Sequence, residues 1–191
     1  MKLLRISPLL LAELMHPDDA KIIETMTKLS TRMVERGYSN DPRKWREVVA
    51  SLYTGCTPST EKSGPDCLNE SLPPEKMGCE RKSTIGKNPC GSYTGISSLP
   101  TWEEQEEYLK LKIRDLGRHY FDRFDATTGE LVESWSMPGE KAYEILKPKV
   151  KRDFFRKKQK ARTEGKEYAD RRLSASICWT EIQKYGVIEY Q

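Results

Sequence analysis

The stretch from Gly55 to Pro100 constrains the fold more than any other. Of its 46 residues, 29 are Gly, Pro, Ser, Thr, Asn or Cys. No helical or strand period survives there for more than a few residues. A loop this long is uncommon inside a compact domain and is usually functional or disordered. It divides the chain into three parts: an N-terminal helical hairpin over 1–54, the irregular loop over 55–100, and a helical region over 101–191.

Both flanking parts carry helical periodicity. Pro17 and the paired Asp18 and Asp19 suit a helix start, and Ile22, Ile23, Met26, Leu29, Met33 and Val34 make one apolar stripe that ends at Gly37. Asp41 and Pro42 open a second helix whose expected core face is Trp45, Val48, Val49, Leu52 and Tyr53. After the loop, Thr101-Trp-Glu-Glu104 reads as a capping box, with acidic residues crowding the positive helix end. Leu109, Ile113, Leu116 and Tyr120 continue that helix. The spacing predicts helices over 18–36, 41–54, 101–118, 138–147, 149–163 and 175–185, with Pro148 separating the fourth from the fifth. Thr128-Gly129, between aromatic and apolar flanks, reads as the turn of a β-hairpin. The expected fold class is therefore mainly α: a small helical bundle with one hairpin and a long Cys-containing loop.

Composition sets limits on function. The hydrophobic fraction is 36% and the charged fraction 32%, so the core is modest. Four Trp, nine Tyr and four Phe argue against full disorder. No apolar run is long enough to span a bilayer. The opening MKLLRISPLLLAELMHPDD is interrupted by Arg5, Pro8 and Glu13, which makes it a poor secretory signal and loosely compatible with a mitochondrial presequence. A short packing or membrane-surface helix is the favoured reading.

Charge is unevenly distributed. Lys147 to Arg172 holds twelve Lys and Arg against four acids, a local charge of 12 − 4 = +8 in a chain of +4, so the remainder is 4 − 8 = −4. Such asymmetry points to a polyanionic or acidic partner. Val150, Phe154 and Phe155 are expected to pin this segment to the body. Lys149, Lys151, Arg152, Arg156, Lys157, Lys158, Lys160 and Arg162 are its candidate contacts to nucleic-acid phosphates or an acidic protein.

Four cysteines lie in the loop with spacing C-x10-C-x11-C-x10-C: Cys56, Cys67, Cys79 and Cys90. No two are close enough to form a zinc knuckle and no His accompanies them, so no metal site is expected. Disulfides are a better chemical reading than zinc, with the pairing open among three connectivities, and four free thiols in a reducing compartment are the alternative. Cys178 is expected to be a small buried apolar residue. His16 and His119 accompany no nucleophile motif, and no phosphate loop, dinucleotide fingerprint or EF-hand loop is present. No catalytic residue and no cofactor are expected.

Two function classes follow. The first is a non-catalytic accessory subunit of a large intracellular assembly, in the mitochondrion or alternatively the nucleus, whose partners are other protein subunits. The second is an RNA- or DNA-binding protein acting through 147–172. An enzyme ranks third.

Overall fold

The computed structural model describes residues 17–38, 41–61, 64–165 and 172–191. The N-terminal segment discussed above and the tail of the basic segment, 166–171, lie outside the described residues. The chain forms two compact units, 1–44 and 45–191.

In the first unit, α1 (Pro17–Glu35) ends as its sequence requires. The N–H of Tyr38 reaches the carbonyl of Met33 and that of Gly37 the carbonyl of Val34, both at 2.9 Å, which satisfies the last carbonyls.

The second unit corrects the expected fold class. It is mixed α/β and not a mainly helical bundle. Its centre is a six-stranded sheet in the order β1-β2-β3-β5-β6-β8, beside a two-stranded sheet of β4 and β7. The 55–100 stretch is not irregular. It contributes β1 (Thr57–Pro58), β2 (Cys67–Leu68), β3 (Gly78–Thr84) and β4 (Gly91–Ser97). β1, β2 and β3 run as an antiparallel meander. β3 then pairs in parallel with β5 (Arg118–Phe124), which needs a long crossover. That crossover contains β4, α3 (Trp102–Leu109) and a wider turn of helix over Lys110–Arg114.

Several local expectations hold. The capping box at α3 is complete: Thr101 Oγ1 accepts from the Glu104 N–H at 3.2 Å, and Glu104 accepts from the Thr101 N–H at 3.0 Å. The helix is shorter than the expected 101–118, because β5 begins at Arg118. Gly117 sits at that junction for a steric reason: a Cβ there would lie 1.8 Å from the Lys76 carbonyl oxygen. The hairpin is present, with β5 antiparallel to β6 (Leu131–Pro138). Its turn is held by Asp125 Oδ1, which accepts from the N–H groups of Thr127 and Thr128, and by Gly129 at φ 73°.

Pro148 does not interrupt a helix. α4 runs unbroken from Gly139 to Thr163. Pro148 is exposed, while Leu146 and Val150 on either side are fully buried and hold both halves on the core. The missing N–H thus costs less than losing either anchor would. The last expected helix, 175–185, is instead β7 (Arg172–Ile177) followed by α5 (Trp179–Tyr185), and β8 (Val187–Tyr190) closes the edge of the large sheet. Leu173 and Ile177 face inward with strand alternation. Cys178 is exposed at the α5 N-cap, not buried.

α2 (Pro42–Tyr53) also presents a different face from the one expected. Val49, Leu52 and Tyr53 are exposed, while Val48, Ala50 and Ser51 are buried. Ala50 packs with Phe124 and Leu131. The main core lies on the other side of the large sheet. There Phe121 and Met137 meet Tyr93, Leu173 and Ile177 from the small sheet, with Leu109, Leu146, Val150 and Phe154 from the helices. Among the described residues no helix is long and apolar enough to cross a membrane.

Candidate functional site

Strand alternation gives β3 two chemical faces. Cys79 and Arg81 point to the α2 side, and Glu80 and Lys82 point to the small-sheet side.

On the α2 side the dominant feature is a buried ion pair. Arg81 binds Asp122 in two places, Nε to Oδ2 at 3.0 Å and Nη2 to Oδ1 at 2.7 Å, with both side chains wholly inaccessible. Arg81 Nη1 also donates to Thr54 Oγ1 at 3.0 Å, and Ser134 Oγ donates to Asp122 Oδ1 at 2.6 Å. The guanidinium lies 4.4 Å from the centre of the Tyr120 ring. Burial opposes the Arg81 charge, but Asp122 outweighs it and raises the guanidinium pKa.

Cys56, Cys67 and Cys79 cluster beside this pair with Tyr120. Cys67 and Cys79 are cross-strand partners, and the Cys56 thiol donates to Tyr120 Oη at 3.4 Å. The hydrogen bond with Cys67 and then burial push the Cys56 thiol up. Cys67 is lowered by its bond to Cys56, but Cys79 and burial prevail and carry it to about 11. Cys90, the fourth disulfide candidate, stands outside the cluster and is exposed. All five cysteines are free thiols here.

The other face carries the site that sequence reasoning missed. Asp66 lies one residue beyond the Cys67–Cys79 cross-strand pair, which sets it opposite Glu80. Its Oδ2 accepts from the Arg81 N–H at 2.8 Å, which fixes the carboxylate against β3. Lys82 Nζ donates to Glu80 Oε1, and both side chains are only 23% exposed. Burial works against the Lys82 ammonium, yet Glu80, then Asp66 and then Glu47 of α2 overcome it and raise the pKa. Tyr93 senses the same charges. Burial, then Glu80 and Asp66, push its hydroxyl well above the usual range. Two groups from separate strands thus respond to the same two carboxylates.

The wall behind Lys82 is built from β4 and β5. Lys82 Nζ stands 5.2 Å from the Tyr93 ring centre. Tyr93 Oη donates to His119 Nδ1 at 2.7 Å, because His119 Nε2, 2.9 Å from the Ile113 carbonyl oxygen, must be the nitrogen that carries the proton. Burial depresses the His119 pKa to about 4, so the imidazole is neutral near pH 7. His119 lies beside Glu80 in the parallel register.

Among the described residues, no three His, Cys, Asp or Glu side chains are arranged to hold a metal ion by themselves. A Mg2+ ion does not need three. It commonly binds through one or two carboxylates, with water and substrate phosphate completing the octahedron.

The basic residues singled out in the sequence all lie on α4, where several are engaged by other groups of the protein. Lys151 Nζ lies over the Trp102 ring at 5.3 Å and Lys158 Nζ over Phe154 at 4.6 Å. Lys157 donates to the Arg172 carbonyl oxygen, and Lys149 bonds the Ser176 carbonyl oxygen and Glu181. Arg156 pairs with Asp153, and Lys160 lies 3.7 Å from Glu164. Arg152 and Arg162 are exposed. Val150 and Phe154 anchor the helix as expected, at 0% and 2% exposure, whereas Phe155, also expected to anchor it, is half exposed because it lies on the outer side of α4.

The missed site had one legible signal. A carboxylate and a lysine two residues apart share a face only in a strand, so Glu80 and Lys82 stay unremarkable while their stretch is read as loop. No protein-family model matches the chain, and no curated protein matches it.

Proposed function

We propose that this protein is a Mg2+-dependent hydrolase of phosphodiester bonds in nucleic acid. The observation that carries the reading is the grouping of Asp66, Glu80 and Lys82 where β2 and β3 pair, with both carboxylates acting on a mostly buried lysine. The basic surface of α4 supports a nucleic acid as the substrate class.

A bound ion would supply polarisation of a phosphoryl oxygen and a lowered pKa for a water, and Asp66 and Glu80 would hold it. The raised pKa keeps Lys82 protonated, so it acts as a fixed positive charge for the phosphoryl oxygens and not as a base. Tyr93, held by neutral His119, backs the lysine and limits its reach. Water adds to phosphorus and gives up a proton to solvent, the bond to one ester oxygen breaks, and that oxygen leaves with a proton from solvent. The products are a phosphomonoester and a hydroxyl end.

The test is cleavage of plasmid DNA and of labelled single-stranded DNA and RNA with Mg2+ or Mn2+, against EDTA. Glu80→Gln and Lys82→Gln are expected to lose activity by about 10²-fold or more while melting like the parent. A folded parent protein that cuts none of these substrates with either metal refutes the proposal.

A second reading, an accessory subunit of a larger assembly, is favoured by one observation. Met26, Leu29 and Val34 of α1 are each more than half exposed, an apolar series suited to a protein partner. Sizing of native material distinguishes the two.

A further inference from the structure

The solvent side of α4 carries a second feature that the hydrolytic site does not use. Arg152, Phe155, Arg156 and Lys160 recur at helical spacing on one exposed stripe. With a rise of 1.5 Å per residue, the three cations stand about 6 Å apart along the axis. The Arg156 and Lys160 side chains are 74% and 68% exposed. From Lys147 to Thr163 the helix holds nine Lys and Arg against Asp153 alone, 9 − 1 = +8. Glu106, Glu181 and Glu164 neutralise three of these charges from outside, leaving about 8 − 3 = +5.

Phe155 is the unexpected member. It is 50% exposed in the middle of the cations. It is held rigidly from below: its ring packs edge-on against Phe154 at 5.3 Å and lies 6.3 Å from Trp102. A fixed, solvent-facing aromatic ring between arginines is a stacking platform for an unpaired base. Beside the stripe, β4 and β7 turn a row of hydroxyls outward, Ser92 and Thr94 facing Ser174 and Ser176. Together with Lys149, Arg152, Arg156 and the Asp153 carboxylate that Arg156 pairs with, they line an open cleft. Hydroxyls and arginines are the ordinary donors to phosphate oxygens.

We infer that the outer stripe of α4, with the hydroxyl-lined cleft at its side, is a binding track for single-stranded nucleic acid, with phosphates on Arg152, Arg156 and Lys160 and a base on Phe155. This deepens the reading of the substrate and rests on it only for the class of ligand. Duplex DNA presents no free base face to Phe155.

The test uses the full chain in EDTA, so binding is read without catalysis. Anisotropy of a fluorescein-labelled oligothymidine and of a labelled hairpin duplex is followed against salt. The single strand is expected to bind more tightly than the duplex. Replacing Arg152, Arg156 and Lys160 together with Gln should flatten the single-strand salt slope by about 0.7 per lost contact. Phe155→Leu should weaken the single strand about fivefold or more and leave the duplex unchanged, while Phe155→Tyr should restore it. Preference for duplex, or unaltered single-strand affinity and slope in variants that melt normally, overturns the inference. Tight binding by a protein that cleaves nothing would instead refute the hydrolase reading and leave this one standing.

Discussion

Replacing Asp122 with Asn tests the architecture at its most vulnerable point. The change keeps the shape and removes one charge. Arg81 is then left with no anion in a site that water does not reach, since both side chains are wholly inaccessible. The Asn amide also presents a donor where Arg81 Nε, Arg81 Nη2 and Ser134 Oγ all donate. Removing one partner of a buried pair costs about 3–5 kcal/mol, much of it the penalty of the orphaned charge. For a chain of this size 1 kcal/mol moves Tm by roughly 2–4 °C, so the midpoint should fall by roughly 6–20 °C. The double variant Arg81→Met with Asp122→Leu removes both charges and should be far less damaged than the single losses add up to, with a coupling of about 3 kcal/mol. Urea and thermal melts of the four proteins give the cycle. A loss below about 1 kcal/mol for Asp122→Asn would mean that the pair behaves as a solvated one. The account of β3 as a strand pinned from its α2 side would then fail.

The other predictions concern His119 and the thiols. Burial holds the His119 pKa at about 4 against an ordinary 6.5, so the unfolded chain binds the proton first. Stability is then fully present above pH 6.5 and is lost as pH falls toward 4, by up to about 3 kcal/mol for 6.5 − 4 = 2.5 units. Urea midpoints at pH 7.5, 5.5 and 4.5 should fall in the parent and less steeply in His119→Gln, and equal slopes would contradict the buried neutral imidazole. For the thiols, brief alkylation of the native protein should label Cys90 and Cys178, with Cys56, Cys67 and Cys79 reacting only after unfolding. Fewer than five labels on unfolded, unreduced protein would report a disulfide.

The local features were legible because each is closed by residues a few positions apart. The Thr101–Glu104 box, the end of α1 at Gly37 and the turn at Gly129 depend on contacts within six residues, and the sequence pattern contains all of them. The anchors Val150 and Phe154 were legible for the same reason, since they stand four residues apart on one helix. Pro148 misled because the rule against proline in a helix is local, whereas the helix is held by Leu146 and Val150 against the core.

The strands of 55–100 could not be read in this way. β1 and β2 are two residues each, too short to show a period. In β3 the alternation exists, but its buried positions are Cys79 and Arg81, and a buried arginine looks like an exposed one until its partner is known. That partner, Asp122, is 41 residues away. The candidate site has the same character. Asp66 and Glu80 become neighbours through the pairing of β2 with β3, and Tyr93 and His119 reach Lys82 from two further strands.

By itself the sequence determined where α1 ends, where α3 begins, where the hairpin turns and where positive charge accumulates, because caps, turns and net charge are set by neighbours along the chain. Only the tertiary structure decided that the Gly- and Pro-rich stretch supplies three strands of the large sheet and one of the small, which face of α2 is buried, and which carboxylates surround Lys82. Those outcomes depend on pairings between distant strands, where burial and ion pairing override the local preference of each residue.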